Sequence, residues 1–199
     1  MAGGNQLLDN MLHAAKERLA GRDPEQIARC ADVKFENGAF RFLSLGREIG
    51  VSWPDLNIAP ELPHWQLLTL LHYLDLADGA PLTGRMKLFS AYRDGMVRGG
   101  GFDREAEEVI REKLGVMPSE LLQKRCLALD GEILPSNADL CACIRFAPRY
   151  PVWLKLWFAD DEFPASGRMF VDEGAEHYLT IEDAVTVGML VFDALMNGI

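Results

Sequence analysis

The residues best suited to chemistry form a short acidic run, which consists of Asp160, Asp161 and Glu162. Neighbouring carboxylates raise one another's pKa and offer hard oxygen ligands, so this run is a candidate site for a divalent cation or for proton transfer. Asp172 could add a further oxygen ligand, although the sequence leaves the distance between the two places open. Acidic turns most often contact only solvent, and we favour that interpretation, with Phe163 anchoring the turn to the core.

Two cysteines form the second candidate site. Cys141 and Cys143 stand two residues apart in a strand pattern, so both project to the same side and could hold one thiophilic metal ion. The remaining ligands would have to come from Cys30, Cys126 or a histidine, and nothing in the spacing requires them. Because free cysteines are among the most often buried residues, we favour packed thiols.

A histidine within an apolar helix pattern is the third candidate. His72 could act as a base or as a ligand, but we expect it to donate to a backbone carbonyl in the core. His177 leaves the same alternatives open. No serine or cysteine stands in a recognisable nucleophile motif. An enzyme would therefore have to combine the carboxylates Glu162 and Asp172 with His72 or Arg85 in a cleft between sheet and helices.

A glycine run is the fourth candidate, with Arg98, Gly99 and Gly100 as potential binders of a phosphate or another small anion. Glycine loops ahead of a helix expose amides, and we expect Asp103 to cap the helix that follows. The spacing matches neither phosphate-binding glycine fingerprint, so we favour a flexible loop. Three further cations keep a small-anion pocket open as a hypothesis, and they are Arg85, Lys87 and Arg93.

Charge and hydropathy argue against two classes of partner. The chain has 199 residues and a formal net charge of −10, from 30 acidic and 20 basic residues. That field repels a phosphate backbone, so nucleic acid is not an expected partner. No apolar run approaches the roughly 18 residues of a membrane helix, and no secretory signal pattern stands at the N-terminus. We therefore expect a soluble, cytoplasmic protein with reduced thiols and no membrane contact.

The periodicity of the first half predicts helices on either side of a small sheet. Residues 5–21 and 24–31 have helical periods and predict an N-terminal helical arm over residues 1–31. Residues 33–53 alternate around the Asn37-Gly38 pair, which predicts a three-stranded antiparallel meander. Residues 64–77 are apolar on nearly every side and predict a central buried helix.

The second half predicts a helical pair, a sheet and a last helix. We expect residues 82–101 to be irregular, and residues 104–114 and 118–129 to form the helical pair. Residues 140–146 and 152–158 alternate, with one apolar face and one half-apolar face. Thr180 and Asp183 form a capping box that starts a helix, which we expect to cover the half-apolar face.

These elements predict a single α+β domain over residues 1–199, with its core in residues 33–199. The sheet is expected to be mostly antiparallel. Around it we expect the N-terminal arm, the central buried helix, the helical pair and the C-terminal covering helix.

Two stretches resemble a known family. The first is LLTLLHYLDLADGAPLTG, residues 67–84, followed by FSAYRDG and GGGFD, and the second is LWFADDEFPASGRMFVDEGAEHYLTIEDAVTVG, residues 156–188. They resemble the domain of unknown function numbered 3786, a bacterial and archaeal family common in anaerobes. The resemblance implies no established activity and assigns no catalytic residue. Some relatives add a cysteine-rich iron–sulfur segment, which this sequence lacks, so a cluster is not expected here.

The function we favour from the sequence is a non-catalytic small-molecule-binding or accessory domain. One alternative is an enzyme with a carboxylate-based, metal-assisted site. The other is a protein-interaction subunit that uses the sheet face around Trp153 and Trp157. The expected partner is thus a small anionic ligand or another protein, and the oligomeric state stays open.

Overall fold

The computed structural model describes the backbone of residues 2–198 and the side chains of residues 6–198. Six α-helices form in this part of the chain: α1 (Ala2–Ala20), α2 (Pro24–Ala31), α3 (His64–Leu76), α4 (Gly95–Val109), α5 (Ser119–Ala128) and α6 (Ile181–Asn197). Nine strands accompany them: β1 (Lys34–Glu36), β2 (Ala39–Ser44), β3 (Arg47–Ser52), β4 (Ile58–Ala59), β5 (Met86–Lys87), β6 (Glu132–Ile133), β7 (Leu140–Ala147), β8 (Tyr150–Trp157) and β9 (Ser166–Asp172). The predicted α+β class is confirmed.

The first sheet is an antiparallel meander in the order β1-β2-β3-β4. Asn37 and Gly38 have φ of 52° and 70°, which are the left-handed values that a two-residue hairpin turn requires. Leu45 and Gly46 repeat this geometry between β2 and β3. The predicted three-stranded meander is confirmed. The two-residue strand β4 was not predicted, because two residues show no period.

The second sheet is antiparallel throughout, in the order β5-β9-β8-β7-β6. One face of its central strands is fully buried, and this face consists of Leu140, Ala142, Ile144, Phe146, Val152, Leu154, Leu156, Met169 and Val171. Helix α5 contacts β7, and Gly131, just after α5, lies against the side chain of Ile144 on this face. Arg125 of α5 donates to the backbone carbonyls of Leu195 and Met196 in α6. Helices α5 and α6 therefore lie on the fully apolar face, whereas Glu107 of α4 binds Arg168 on the other face. The prediction that the last helix covers the half-apolar face is wrong.

Helix α3 is central, as predicted. Its leucines Leu68, Leu70, Leu71 and Leu74 are buried, and α3 contacts α1, α2 and α6. The Tyr73 hydroxyl donates to the carbonyl of Ala31 at 2.6 Å, which ties α3 to the end of α2. A helix that is apolar on nearly every side has to be buried on all its faces, and the elements around α3 provide that burial.

The glycine run lies within α4, so the predicted loop and the predicted cap at Asp103 are both wrong. Gly95, Gly99 and Asp103 are spaced by four residues and share one face of α4, against the short turn Phe89–Ala91. A Cβ atom on Gly99 would lie 2.2 Å from the carbonyl oxygen of Phe89. The Asp103 carboxylate accepts hydrogen bonds from the backbone N–H of Phe89 and of Ser90, at 3.1 and 3.0 Å.

This arrangement removes the predicted anion cradle. The amides of Gly99 and Gly100 lie inside a helix, where backbone N–H groups donate to carbonyls four residues earlier. Gly95 and Gly99 serve close packing between α4 and the preceding turn.

Among the described helices, none combines the length and the apolarity that crossing a membrane demands.

We expect Gly99→Ala to lower the free energy of unfolding by about 2 kcal/mol or more, because the added methyl group must displace the backbone of Phe89. Gly101→Ala is the matched control, since nothing lies within 4 Å of its Cβ position and alanine favours the helix. Urea denaturation measures both. Equal stability of the two variants would contradict the packing of α4 on this turn.

Candidate functional site

A groove of about 610 Å³ opens between α1, α3 and α6. Its apolar lining consists of Met11, Trp65, Leu68, Met189 and Leu190. Trp65 and Met189 remain 52% and 49% exposed, which is high for large apolar side chains. Arg98, Glu182 and Asp183 add charged groups to the lining. A concave, mostly apolar site with a few polar groups is the usual form of a small-molecule site.

The wall from α3 follows from helical spacing. Trp65, Leu68, Thr69 and His72 stand three or four residues apart, so they lie along one side of the helix. The first three line the groove. The hydroxyl of Thr69 donates to the carbonyl of Trp65 within the helix, at 2.8 Å. This leaves the wall largely apolar.

Helices α3 and α6 are joined by one polar contact. His72 Nδ1 lies 2.7 Å from Asp183 Oδ1, so the imidazole donates through Nδ1 to the carboxylate. The predicted partner of His72 was a backbone carbonyl, and that prediction is wrong. His72 is half-buried, and its Nε2 has no hydrogen-bond partner among the described residues. Since the atom is not enclosed either, solvent reaches it.

Asp183 also caps the start of α6. Its Oδ2 accepts from the Thr180 hydroxyl at 2.7 Å, and the Thr180 hydroxyl accepts from the Asp183 N–H. The predicted capping box is confirmed. What the sequence did not show is that the capping carboxylate also binds His72, 111 positions away in the chain.

Two buried tyrosines form another polar contact, and the charge of Asp183 acts on both. The hydroxyls of Tyr92 and Tyr150 are 2.5 Å apart and buried. Burial raises the pKa of both phenols, and the negative charges of Asp183 and Glu176 raise the pKa values further. Both phenols therefore stay neutral at physiological pH and act as hydrogen-bonding groups rather than bases.

Asp172, a catalytic candidate in the sequence, is held entirely by the protein. Its buried carboxylate accepts four hydrogen bonds, from the N–H and hydroxyl of Thr83 and from the N–H groups of Gly84 and Gly174, at 2.8 to 3.1 Å. Arg85 makes an exposed ion pair with Glu173 at 2.8 Å. Asp172 thus fixes the loop before β5 to the end of β9.

The structure does not bring the other catalytic candidates together with it. Glu162 precedes β9 and Asp172 ends it, so the seven-residue strand separates them by about 20 Å. His72 binds Asp183, away from both. No described pocket contains Glu162, Arg85 and His72.

The acidic run forms a self-contained turn. Asp160 accepts from the backbone N–H of Phe163 at 2.7 Å and of Glu162 at 2.8 Å, and these two bonds hold the pKa of Asp160 below its usual value. Asp161 and Glu162 are exposed. Phe163 is 66% exposed, so the prediction that it anchors the turn in the core is wrong.

The cysteine candidates are buried in the second sheet. Cys141 and Cys143 share the half-apolar face, and burial raises the pKa of Cys143 to about 11. A protonated thiol is a poor metal ligand. Within residues 6–198, no three His, Cys, Asp or Glu side chains are placed to share a metal ion, so neither predicted metal site is assembled.

Three cations of the predicted small-anion pocket are already paired. Arg98 binds Glu182, Arg85 binds Glu173, and Lys87 binds Glu176. The aromatic face predicted for protein interaction is also smaller than expected. Trp153 is 7% exposed and Trp157 is 39% exposed, with its indole N–H donating to the carbonyl of Asn137.

Residues 23–194 match the family described as Domain of unknown function (DUF3786). The chain belongs to this family. The match confirms the resemblance carried by residues 67–84 and 156–188, and it includes α3 and α6 up to residue 194 but not α1. Neither the curated proteins nor the solved structures gave a match. Because the family's description names no activity, any function has to be argued from the geometry of the sites.

We expect Asp172→Asn to lower the free energy of unfolding by about 3 kcal/mol, because an amide cannot accept all four hydrogen bonds in a buried place. Glu173→Gln is the neighbouring control, and since exposed ion pairs contribute little it should leave the urea midpoint nearly unchanged. An Asp172→Asn variant as stable as the parent would show that the carboxylate is not the structural anchor described here.

Proposed function

We propose that the chain binds a small, largely apolar molecule in the groove between α1, α3 and α6, without catalysing a reaction on it. The supporting observation is the groove itself, with about 610 Å³ of space and an apolar lining drawn from three helices. Trp65 and Met189 are large apolar side chains that stay exposed in this concave site. A ligand that buried them would gain binding free energy from the apolar surface removed from water.

The polar groups of the groove suggest how such a ligand would be oriented. Arg98 and Glu182 form an ion pair at 2.9 Å, with both side chains well exposed to solvent. Asp183 lines the groove with a carboxylate that is already shared between His72 and Thr180. The ligand would therefore place most of its surface against Trp65, Leu68 and Met189, with one polar end near the Arg98–Glu182 pair.

A second function is favoured by a separate observation. In the His72–Asp183 pair a carboxylate fixes the imidazole through Nδ1, while Nε2 is free of partners among the described residues. A carboxylate that orients an imidazole in this way can prepare it as a general base. The alternative of an enzyme is therefore centred on His72 and Asp183, and not on Glu162 or Asp172.

We place the protein in the cytoplasm, with no nucleic acid as partner, as part of this proposal. The net charge of −10 supports the second point, because it disfavours contact with phosphate backbones. Cys30, Cys126, Cys141 and Cys143 are free thiols in the structure, as suits a reducing compartment.

The ligand-binding proposal predicts saturable binding of Nile red, a neutral apolar dye, with an increase in its fluorescence. Thr186 lines the groove, and Thr186→Trp should fill it and weaken dye binding roughly tenfold or more, a loss of over 1.4 kcal/mol. Leu127→Trp adds the same ring at an exposed site on α5 and should leave binding unchanged. Dye binding that persists in Thr186→Trp, with the fold intact by circular dichroism, would rule out the groove as the site.

The alternative centred on His72 predicts that diethyl pyrocarbonate modifies Nε2 of His72 in the folded protein, because solvent reaches this atom. His13 is the internal control, since its side chain is exposed on α1. Peptide mass spectrometry locates the adducts. Modification of His13 with none on His72 would show that Nε2 is closed to reagents, and the enzyme alternative would be abandoned.

A further inference from the structure

The half-apolar face of the second sheet contains two cations in direct opposition. The register of β8 and β9 pairs Lys155 with Arg168, so the two side chains stand opposite each other on one face. Like charges directly opposite in an antiparallel pair destabilise the sheet. This arrangement is therefore unfavourable unless an anion lies near both cations.

The protein itself supplies only part of that anion. Arg168 binds Glu107 of α4 at 3.0 Å. Lys155 has no carboxylate within ion-pair distance among the described residues. Arg111 lies in a π-helical turn, Ile110–Leu114, that follows α4, and it lines the same pocket. Its one ion-pair contact among the described residues is with its neighbour Glu112, at 3.4 Å. Three cations and one carboxylate thus line a pocket of about 400 Å³, on a protein whose net charge is −10.

Two aromatic rings stand beside these cations. Trp157 and Phe170 line the pocket, and both side chains belong to the same sheet face as Lys155. The indole N–H of Trp157 is bound to the carbonyl of Asn137 at 3.2 Å, which fixes the ring while leaving much of it exposed. Aromatic rings next to a cluster of cations, of which Lys155 has no ion-pair partner among the described residues, suit a ligand with a flat apolar part and a negative group.

We propose that this pocket binds a small organic anion with a flat apolar body. Its carboxylate or phosphate would lie between Lys155 and Arg111, and its ring would pack against Trp157 and Phe170. Its negative charge would offset the repulsion between Lys155 and Arg168. The groove proposed above lies between α1, α3 and α6 and shares no lining residue with this pocket, so this site is independent of the function proposed above.

Isothermal titration calorimetry tests the site with two ring-bearing anions, 2-naphthoate for a carboxylate and AMP for a phosphate. At least one should bind, and the one that binds identifies the anionic group. Inorganic phosphate should bind more weakly because it lacks the ring, and the neutral 2-naphthalenemethanol should bind more weakly because it lacks the negative charge. A dissociation constant of roughly 1 mM corresponds to a binding free energy of about −4 kcal/mol. If neither ring-bearing anion gives heat at that concentration, the proposal is wrong.

Lys155→Gln should weaken binding roughly tenfold, as expected for the loss of one charge-assisted hydrogen bond. Lys124→Gln makes the same change at an exposed position on α5 and should leave the affinity unchanged. Thr186→Trp should also have no effect, because it alters only the groove. Binding that survives Lys155→Gln, or that falls equally in Lys124→Gln, would overturn the assignment.

A stability measurement without ligand separates this role from a structural one. Lys155→Gln removes one of two opposed cations, so its urea midpoint should equal or exceed that of the parent protein. A drop in the midpoint would mean that Lys155 stabilises the sheet, and the assignment of Lys155 to a ligand would then fail.

Discussion

The carboxylate of Asp183 is the group on which the arrangement of the central helices depends. One oxygen caps the first turn of α6, and the other accepts the Nδ1 proton of His72 on α3. A buried carboxylate is costly without partners, so both bonds must be present together. The start of α6 is thereby fixed against the middle of α3. Since these two helices form facing walls of the groove, the same contact also sets the shape of the groove.

Two kinds of polar group can be distinguished in this chain: those whose hydrogen bonds are all made within the protein, and those without a partner among the described residues. Asp172 and Asp103 are carboxylates whose hydrogen bonds all go to nearby backbone and hydroxyl groups, and each holds a loop against a helix or strand. Such groups stabilise the fold and have little capacity left for a ligand. Lys155 and the Nε2 atom of His72 have no partners among the described residues, so they are among the groups that keep the capacity to bind a ligand.

The two proposed sites differ in kind because the two faces of the second sheet differ. Helices α5 and α6 contact the apolar face, and the groove arises where α6 and its neighbours α1 and α3 do not fill the space between them. On the opposite face α4 lies beside β9, and charged and aromatic side chains such as Lys155 and Trp157 remain partly accessible there. An apolar ligand suits the groove because burying apolar surface is favourable, and an anion suits the pocket because cations line it.

The sequence by itself determined the features that depend on neighbours in the chain. The Asn37–Gly38 hairpin, the Thr180–Asp183 cap and the alternation of β7 and β8 all follow from short-range geometry, and the structure has them where they were predicted. Only the tertiary structure decided that Gly99 lies inside a helix. Glycine is required there because the helix packs closely against Phe89, and helix propensity alone would disfavour it. It also decided that His72 meets Asp183 and that Lys155 faces Arg168, because strand register and helix contact depend on packing. Local spacing encodes turns and caps, whereas partners far apart in sequence are selected by burial of the whole core.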